Sequence, residues 1–484
     1  MSTETLAAAL ALIGIVILVS SLLSGVIERT GIPQVAIFLL LGAVLGPAGL
    51  RLVELTLESP TLQWITTLGL VLVLFTDAIA MDFAAIRRPR RLLLVILGPA
   101  TLIPAAIIAL TAWLLLGLAP LPSLILGAAL ASTDPVMLRS LTRRSSLPAP
   151  VREALRLEGG INDVVLLPII VLGILAHSTS GNLPLELGRH SLGLFILGPA
   201  LGALVGYIAI TLLEQVRKRV GVRRDYESLY ALGVAFTAFA AAESVGGSGF
   251  LAAFAAGVVI AKLDVELCDC FLDYGQATAE MFLLFTFVAF GAALIWSGVT
   301  VADASTLVFA AVALLVRTAV LLPVLRWIGV EQRSRRIIAW AGPRGLSSLL
   351  LVLLPVFAGV PGSERLFAIT SLVVLLSVAI HGTGIAVFLR KTEGPLSDED
   401  VTTAPVTREP DPEHRVPERI TLEELRRLRE VGSPVILADV RTDRSYRADN
   451  LQARGAIRLP PDDAVRRARE LGLDHHASVV LYCA

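Results

Sequence analysis

The chain has 484 residues with 41 Lys+Arg against 41 Asp+Glu, so it has no excess of positive charge to offer a nucleic-acid backbone. With 55% hydrophobic and 17% charged residues and a mean hydropathy of +0.76, it carries more apolar surface than a soluble domain buries. That excludes a soluble enzyme over most of the length and fits an all-α polytopic membrane protein. Its three cysteines, Cys268, Cys270 and Cys483, are too few and too badly spaced for a disulfide framework or a four-ligand zinc site.

Crossing about 30 Å of hydrocarbon takes roughly 20 apolar residues, and about thirteen segments meet that need. They run over 5–27, 32–50, 62–81, 92–117, 121–138, 153–176, 190–213, 227–243, 247–262, 278–297, 304–328, 337–358 and 366–389. The first lacks a basic leading stretch and a small-residue cleavage site, so it is expected to be a retained span. Loops after odd-numbered spans hold Arg87, Arg88, Arg90 and Arg91, then Arg139, Arg143, Arg144 and Arg152, then Arg217 to Arg224, then Arg333, Arg335 and Arg336. Loops after even-numbered spans offer little more than Arg51, Arg189 and Arg365. Because basic residues stay on the cytoplasmic side, the N-terminus is expected outside the cell membrane and the tail in the cytoplasm.

Ionisable groups within a span cost roughly 2.5–3.5 kcal/mol each, so those present call for a reason. Span five carries Ser132-Thr133-Asp134-Pro135. Proline removes a backbone donor and frees main-chain oxygens, and these oxygens, a hydroxyl and a carboxylate are hard ligands suited to an alkali cation. The alternative is a proline kink with Asp134 capping the second half-helix. Span six carries Glu158-Gly159-Gly160-Ile161-Asn162-Asp163. Ten residues in from Glu153, at 1.5 Å each, Asp163 lies about 15 Å deep, near the midplane.

The Gly249, Ala253, Gly257 run in span nine has the four-residue spacing of close helix packing. Cys268-Asp269-Cys270 is expected on a solvated acidic loop. Arg317 sits inside span eleven and needs a carboxylate; Glu158 is the obvious partner and Asp77 a competitor. With Glu158 neutralised, Asp163 is left as the carboxylate on which a proton and a cation compete. Span twelve holds Gly342-Pro343-Arg344-Gly345, a second interruption seven spans after the first. Paired breaks point to inverted repeats, spans 1–6 and 8–13, with two discontinuous helices that cross. Arg344 either places its charge at that crossing or snorkels to the cytoplasmic edge. His381 in span thirteen is expected to be a packed histidine.

These features divide the chain into a membrane region at 1–391, a Pro/Asp/Glu-rich linker at 392–418 and a small cytoplasmic α/β domain at 419–484.

Thr133-Asp134-Pro135, followed by Glu158 and Asn162-Asp163, resembles the monovalent cation:proton antiporter-1 family, the sodium/proton exchangers. Gly247-Ser248-Gly249-Phe250-Leu251-Ala252, Gly257 and Gly342-Pro343-Arg344-Gly345 look like that family's later motifs, and the resemblance covers roughly 6–390. It implies a homodimer in the lipid bilayer with an elevator-type core. Asp163 would bind cation or proton in turn, Asn162, Asp134 and Thr133 would shape the site, Glu158 would pair with Arg317, and Pro135, Gly342, Pro343 and Arg344 would form the crossing. Asn162 before Asp163 looks like the electroneutral branch, exchanging one cation for one proton. Gly159 departs from the pattern, standing where a serine often follows the glutamate. The cation is expected to be Na+, with K+ or Li+ as alternatives and no cofactor or resident metal. A transporter-like membrane sensor is the reading from a different class.

In the tail, Pro434 to Arg441, Gly455-Ala456-Ile457 and Val479 to Cys483 resemble a rhodanese-like domain. Cys483 matches that family's sulfur-carrying thiol, but the anion-cradling loop that would follow is not in the chain, so sulfurtransferase activity is not expected and the domain is expected to be truncated.

Overall fold

The computed structural model describes residues 34–47, 49–52, 55–81, 98–142, 149–178, 193–219, 224–263, 265–385, 435–441, 452–460, 463–473 and 478–482, with isolated positions between them. The chain separates into two compact units, Met1–Glu393 and Gly394–Ala484.

In chain order the first unit contains α1 (Gln34–Leu45), α2 (Pro60–Ala80), α3 (Pro99–Leu116), α4 (Pro120–Ala131), α5 (Pro135–Thr142), α6 (Ala149–Ser178), α7 (Gly198–Arg219) and α8 (Arg224–Ser244). It continues with α9 (Gly249–Leu263), α10 (Val265–Ala292), α11 (Ser297–Thr300), α12 (Ala304–Trp327), α13 (Gln332–Trp340), α14 (Leu346–Phe357) and α15 (Ser363–Ser377). Local chemistry sets several of the starts. Proline occupies the opening turn of α2, α3 and α4, where its missing N–H costs nothing. Ser59 caps α2 by accepting from the Leu62 N–H at 3.4 Å, and Asp303 caps α12 by accepting from the Thr306 N–H at 2.7 Å.

Among the described residues, seven helical stretches are long and apolar enough to cross a membrane. One further pair, Met281–Ala292 and Leu294–Thr300, is bent by 53°, and four apolar helices are shorter: Gln34–Leu45, Leu229–Ser244, Gly249–Leu263 and Leu346–Phe357. Twelve of the thirteen expected segments thus fall on apolar helices, four of them shorter than a full crossing needs. The segment at 5–27 lies mostly outside the described residues. Two expectations about loops are corrected. Residues 268–270 belong to the backbone of the 28-residue helix α10, since no glycine or proline interrupts the sequence from Val265 to Tyr274. Arg333, Arg335 and Arg336 lie on α13, whose apolar residues Ile337 and Ile338 pack inward while its arginines lie towards the outside.

The main core gathers α4, α6, α14 and α15 around residues such as Leu126, Leu130, Leu166, Leu349 and Phe367. A second cluster joins α2, α7, α8 and α9 through Phe75, Ile210, Ala235 and Ala256. There the small-residue stripe of α9 packs closely: a Cβ on Gly257 would lie 2.8 Å from the Phe75 carbonyl oxygen.

In the second unit β1 (Val435–Asp439), β2 (Ile457–Arg458) and β3 (Ser478–Tyr482) form a parallel sheet in the order β2-β1-β3. Helix α16 (Ala464–Glu470) provides the crossover from β2 to β3 that parallel pairing requires. Asp439 ends β1 fully buried, gripped by Arg441 (Nη2 to Oδ2, 2.7 Å; Nε to Oδ1, 3.0 Å). Arg441 and Arg458 lie over the Tyr446 ring at 5.2 and 4.5 Å. Burial works to raise the Asp439 carboxyl, but the hydrogen bonds and charge of Arg441, helped by Arg458, hold it below its ordinary value. Cys483 lies outside the described residues.

Candidate ion-exchange site

Two helices stop in the middle of the first unit. α4 ends at Ala131 and α5 starts at Pro135, leaving Ser132, Thr133 and Asp134 non-helical; α13 ends at Trp340 and α14 starts at Leu346, leaving Ala341 to Gly345. The two breaks meet. The Asp134 N–H donates to the Pro343 carbonyl at 2.9 Å. The Asp134 carboxylate accepts from the Val136 N–H at 2.9 Å and from the Leu346 N–H at 3.2 Å, capping the half-helix that follows each break. Gly345 allows this approach, because a Cβ there would collide with Asp134 Oδ2.

Arg344 is fully buried at the crossing and does not snorkel. Its Nη1 donates to the carbonyls of Ala131 (2.6 Å) and Ser132 (2.9 Å), placing positive charge on the carbonyl end of α4. Its backbone N–H donates to Ser377 Oγ at 2.7 Å, which in turn contacts His381 Nδ1 at 3.2 Å. His381 is buried with its ring 5.6 Å from that of Trp340, in keeping with a packed histidine.

Helix α6 brings the second group of residues against this crossing, and it begins early enough that Glu158 to Asp163 are all helical. Glu158 and Arg317 meet as a two-pronged pair: Nε donates to Oε1 at 2.6 Å and Nη2 to Oε2. Arg317 Nη1 also donates to the carbonyls of Ile338 (2.9 Å) and Ala339 (2.8 Å), tying α12 to the end of α13. Both partners are 2% exposed, so neutralising each other's charge is what makes their burial tolerable. The competing carboxylate, Asp77, faces Gly160 instead: a Cβ on that glycine would lie 3.6 Å from the Asp77 Cβ.

One turn along α6, Asn162 Nδ2 donates to the Ala131 carbonyl at 3.2 Å and to Thr133 Oγ1 at 3.3 Å. Asp163 Oδ1 accepts from the Ser132 hydroxyl, and Ser347 on α14 lies beside the same carboxylate. Asp163 Oδ2 and Asn162 Oδ1 are buried without a hydrogen-bond partner. Two orphaned oxygens on successive residues of α6, with the Ser132 hydroxyl on the same Asp163 carboxylate, are groups that a proton or a small cation would satisfy.

The structure therefore gathers Thr133, Asp134, Pro135, Glu158, Asn162, Asp163, Arg317, Gly342, Pro343 and Arg344 at one crossing. It also gives them different tasks: Asp134 caps helices, while Asp163 keeps an unsatisfied oxygen. Ser132 and Ser347 were missed as site residues. Ser132 stood inside the motif, and only the backbone direction at the break decides that its hydroxyl, and not that of Thr133, reaches Asp163.

Residues 14–391 match the model of the family described as "Sodium/hydrogen exchanger, transmembrane". The chain is 28% identical over 415 residues to the K(+)/H(+) antiporter NhaP of Alkalimonas amylolytica, covering 81% of this chain and 69% of that protein. It is 28% identical over 400 residues to the K(+)/H(+) antiporter NhaP2 of Shewanella sp. (strain MR-4), covering 78% and 66%. Its match to the Na(+)/H(+) antiporter NhaG of Bacillus atrophaeus is 23% over 401 residues, covering 78% and 74%. The matched stretch thus spans about two thirds to three quarters of these relatives. Among solved structures, the sodium proton antiporter MjNhaP1 of Methanocaldococcus jannaschii at pH 8 superposes with a TM-score of 0.64 at 19% identity, over 81% of this chain and all of that one, a likeness of fold. With its family model matching well over half its length, the chain belongs to the sodium/hydrogen exchanger family, whose members are membrane-embedded cation/proton antiporters and not enzymes.

Proposed function

We propose that this protein exchanges a monovalent cation, Na+ in the first instance, for H+ across the cell membrane, one for one, on Asp163. The observation that carries this reading is the pair of buried, unpartnered oxygens, Asp163 Oδ2 and Asn162 Oδ1, beside a crossing whose other carboxylates are engaged. Charge accounts for the coupling. With Glu158 neutralised by Arg317, Asp163 is neutral when it holds a proton and when it holds a cation, and charged when it holds neither. The two loaded forms can cross the apolar barrier, whereas the empty form is held back by the cost of a bare buried charge. A proton carried one way and a cation the other make the exchange electroneutral.

Ser132, Thr133, Asn162 and Asp163 supply side-chain oxygens of the kind alkali cations take, while the carbonyls at the break are held by Arg344, Asn162 and the Asp134 N–H. The names of NhaP and NhaP2 favour K+ as the second reading for the ion. The arginine distribution supports thirteen spans with the N-terminus outside, the motifs support a homodimeric alternating-access carrier, and the strand residues of the tail support a rhodanese-like accessory domain.

The test is proton flux in proteoliposomes carrying an internal pH dye, on adding Na+, K+ or Li+, for the native chain and Asp163→Asn. The native chain is expected to move protons against the added cation, and the variant to match protein-free liposomes. The cation with the lowest half-saturating concentration identifies the substrate. Equal flux from both proteins would sink the carboxylate mechanism.

A further inference from the structure

The end of α12 and the whole of α13 carry four arginines within eleven residues: Arg326, Arg333, Arg335 and Arg336. Among the described residues none of the four side chains makes an ion pair or a hydrogen bond, and Arg326, Arg333 and Arg336 are exposed. Beside them Trp327, the last residue of a spanning helix, is 85% exposed. An indole there, with its apolar body and polar N–H, has the chemistry of a membrane–water boundary anchor. The chain then turns through Gly329, at φ +81°, and the outer face of α13 presents a shallow, open cleft lined by Glu331, Gln332, Arg333, Arg336 and Ile337. The cleft's one carboxylate, Glu331, accepts from the Ser334 hydroxyl at 3.4 Å and is outnumbered by the arginines.

We propose that this cleft binds the phosphate headgroup of an anionic phospholipid. Guanidinium forks match phosphate oxygens two at a time, the Gln332 amide adds donors, and Ile337 and Trp327 offer apolar surface to the glycerol and upper acyl chain. A run of four basic residues next to a span concentrates acidic lipid by about fivefold per charge engaged. The lipid is favoured over a soluble anion because Trp327 sets the patch at the depth of the headgroups. The site also has a path to the exchange chemistry. Helix α13 ends in the carbonyls that Arg317 grips, and the next five residues are the second break of the crossing. A headgroup that fixes α13 therefore fixes one side of the crossing.

The test reads lipid contact directly and does not depend on transport. The full chain is placed in phosphatidylcholine nanodiscs containing a small equal fraction of bromine-labelled phosphatidylglycerol or bromine-labelled phosphatidylcholine. Quenching of Trp327 is isolated by difference from Trp327→Phe. Labelled phosphatidylglycerol is expected to quench Trp327 several-fold more than labelled phosphatidylcholine, and Arg333→Gln with Arg336→Gln is expected to remove the excess while Arg51→Gln keeps it. Equal quenching by the two lipids, or an excess that survives the double variant, overturns the proposal. Equal quenching by the two lipids, together with saturable binding of inorganic phosphate that the double variant loses, assigns the arginines to a free anion and overturns the lipid as occupant.

Discussion

The crossing of the membrane unit and the sheet of the tail both bury an acid against an arginine, and they differ in what is left over. In the tail Asp439 meets Arg441 two residues away, both carboxylate oxygens are engaged, and Arg458 adds a third charge. In the membrane unit Glu158 and Arg317 are 159 residues apart, and next to their closed pair remain Asp163 Oδ2, Asn162 Oδ1 and two guanidinium nitrogens of Arg344 without partners. Among the described residues, every buried side-chain atom lacking a partner belongs to the membrane unit. A satisfied pair is accounted for by stability alone; the unpartnered oxygens of Asp163 and Asn162 are not, and it is on them that the proposed exchange rests.

The sharpest way to break that comparison is to remove Arg317. Arg317→Ala leaves Glu158 charged in a dry interior and frees the Ile338 and Ala339 carbonyls, for an expected loss of roughly 3–5 kcal/mol, seen as a collapse of folded yield and Tm in detergent. Asp163→Asn should do the reverse, abolishing exchange while leaving Tm unchanged or raised; a drop in Tm comparable to that of Arg317→Ala would show that Asp163 is a structural group. Asp134→Ala orphans two helix-opening N–H groups and is expected to cost roughly 1–2 kcal/mol in thermal stability. In the tail, Asp439→Asn should weaken β1 by about 1–3 kcal/mol, measured by hydrogen exchange on the full chain, with cation-driven proton flux untouched.

The same residue fixes a pH dependence. Because Arg441 holds Asp439 below its ordinary value, its contribution to tail stability is complete above about pH 4 and is lost as pH falls through the lowered value. Faster exchange of β1 amides below about pH 4, absent in Asp439→Asn, is the expected signature. The smallest effect is expected from Gly159→Ser, whose Cβ would lie 3.1 Å from that of Pro135. Pro135 must yield by a few tenths of an ångström, and a rise of less than about fivefold in half-saturating cation concentration is the expected outcome.

Much of the membrane unit was legible because lipid makes polar residues conspicuous. A guanidinium between Val316 and Thr318 demanded an acid, and Glu158 was the acid. The two breaks were legible from Pro135 and from Gly342-Pro343. What stayed hidden depended on direction across the break. Asp134 was open between ion ligand and cap, and nothing local shows that it would cap α14, more than 200 residues away, as well as α5. Charge also misled, since Arg333 to Arg336 read as a loop when it is one face of a helix. In the tail the strands at 435–440 and 478–482 were visible as apolar runs, but the Asp439–Arg441 clasp was not, because a two-residue spacing at a strand end carries no signal of burial.

The hydrogen bond from Asp134 to Pro343 is made entirely by main-chain atoms, and every residue type has a carbonyl. The heritable constraint on the crossing is therefore uneven. Substitutions at 343 that keep the backbone path preserve the link, while at 345 any side chain strikes the Asp134 carboxylate. A deep mutational scan selected for growth under cation stress should return a broad alphabet at 343 and glycine alone at 345, recording in tolerance what the geometry sets in distance.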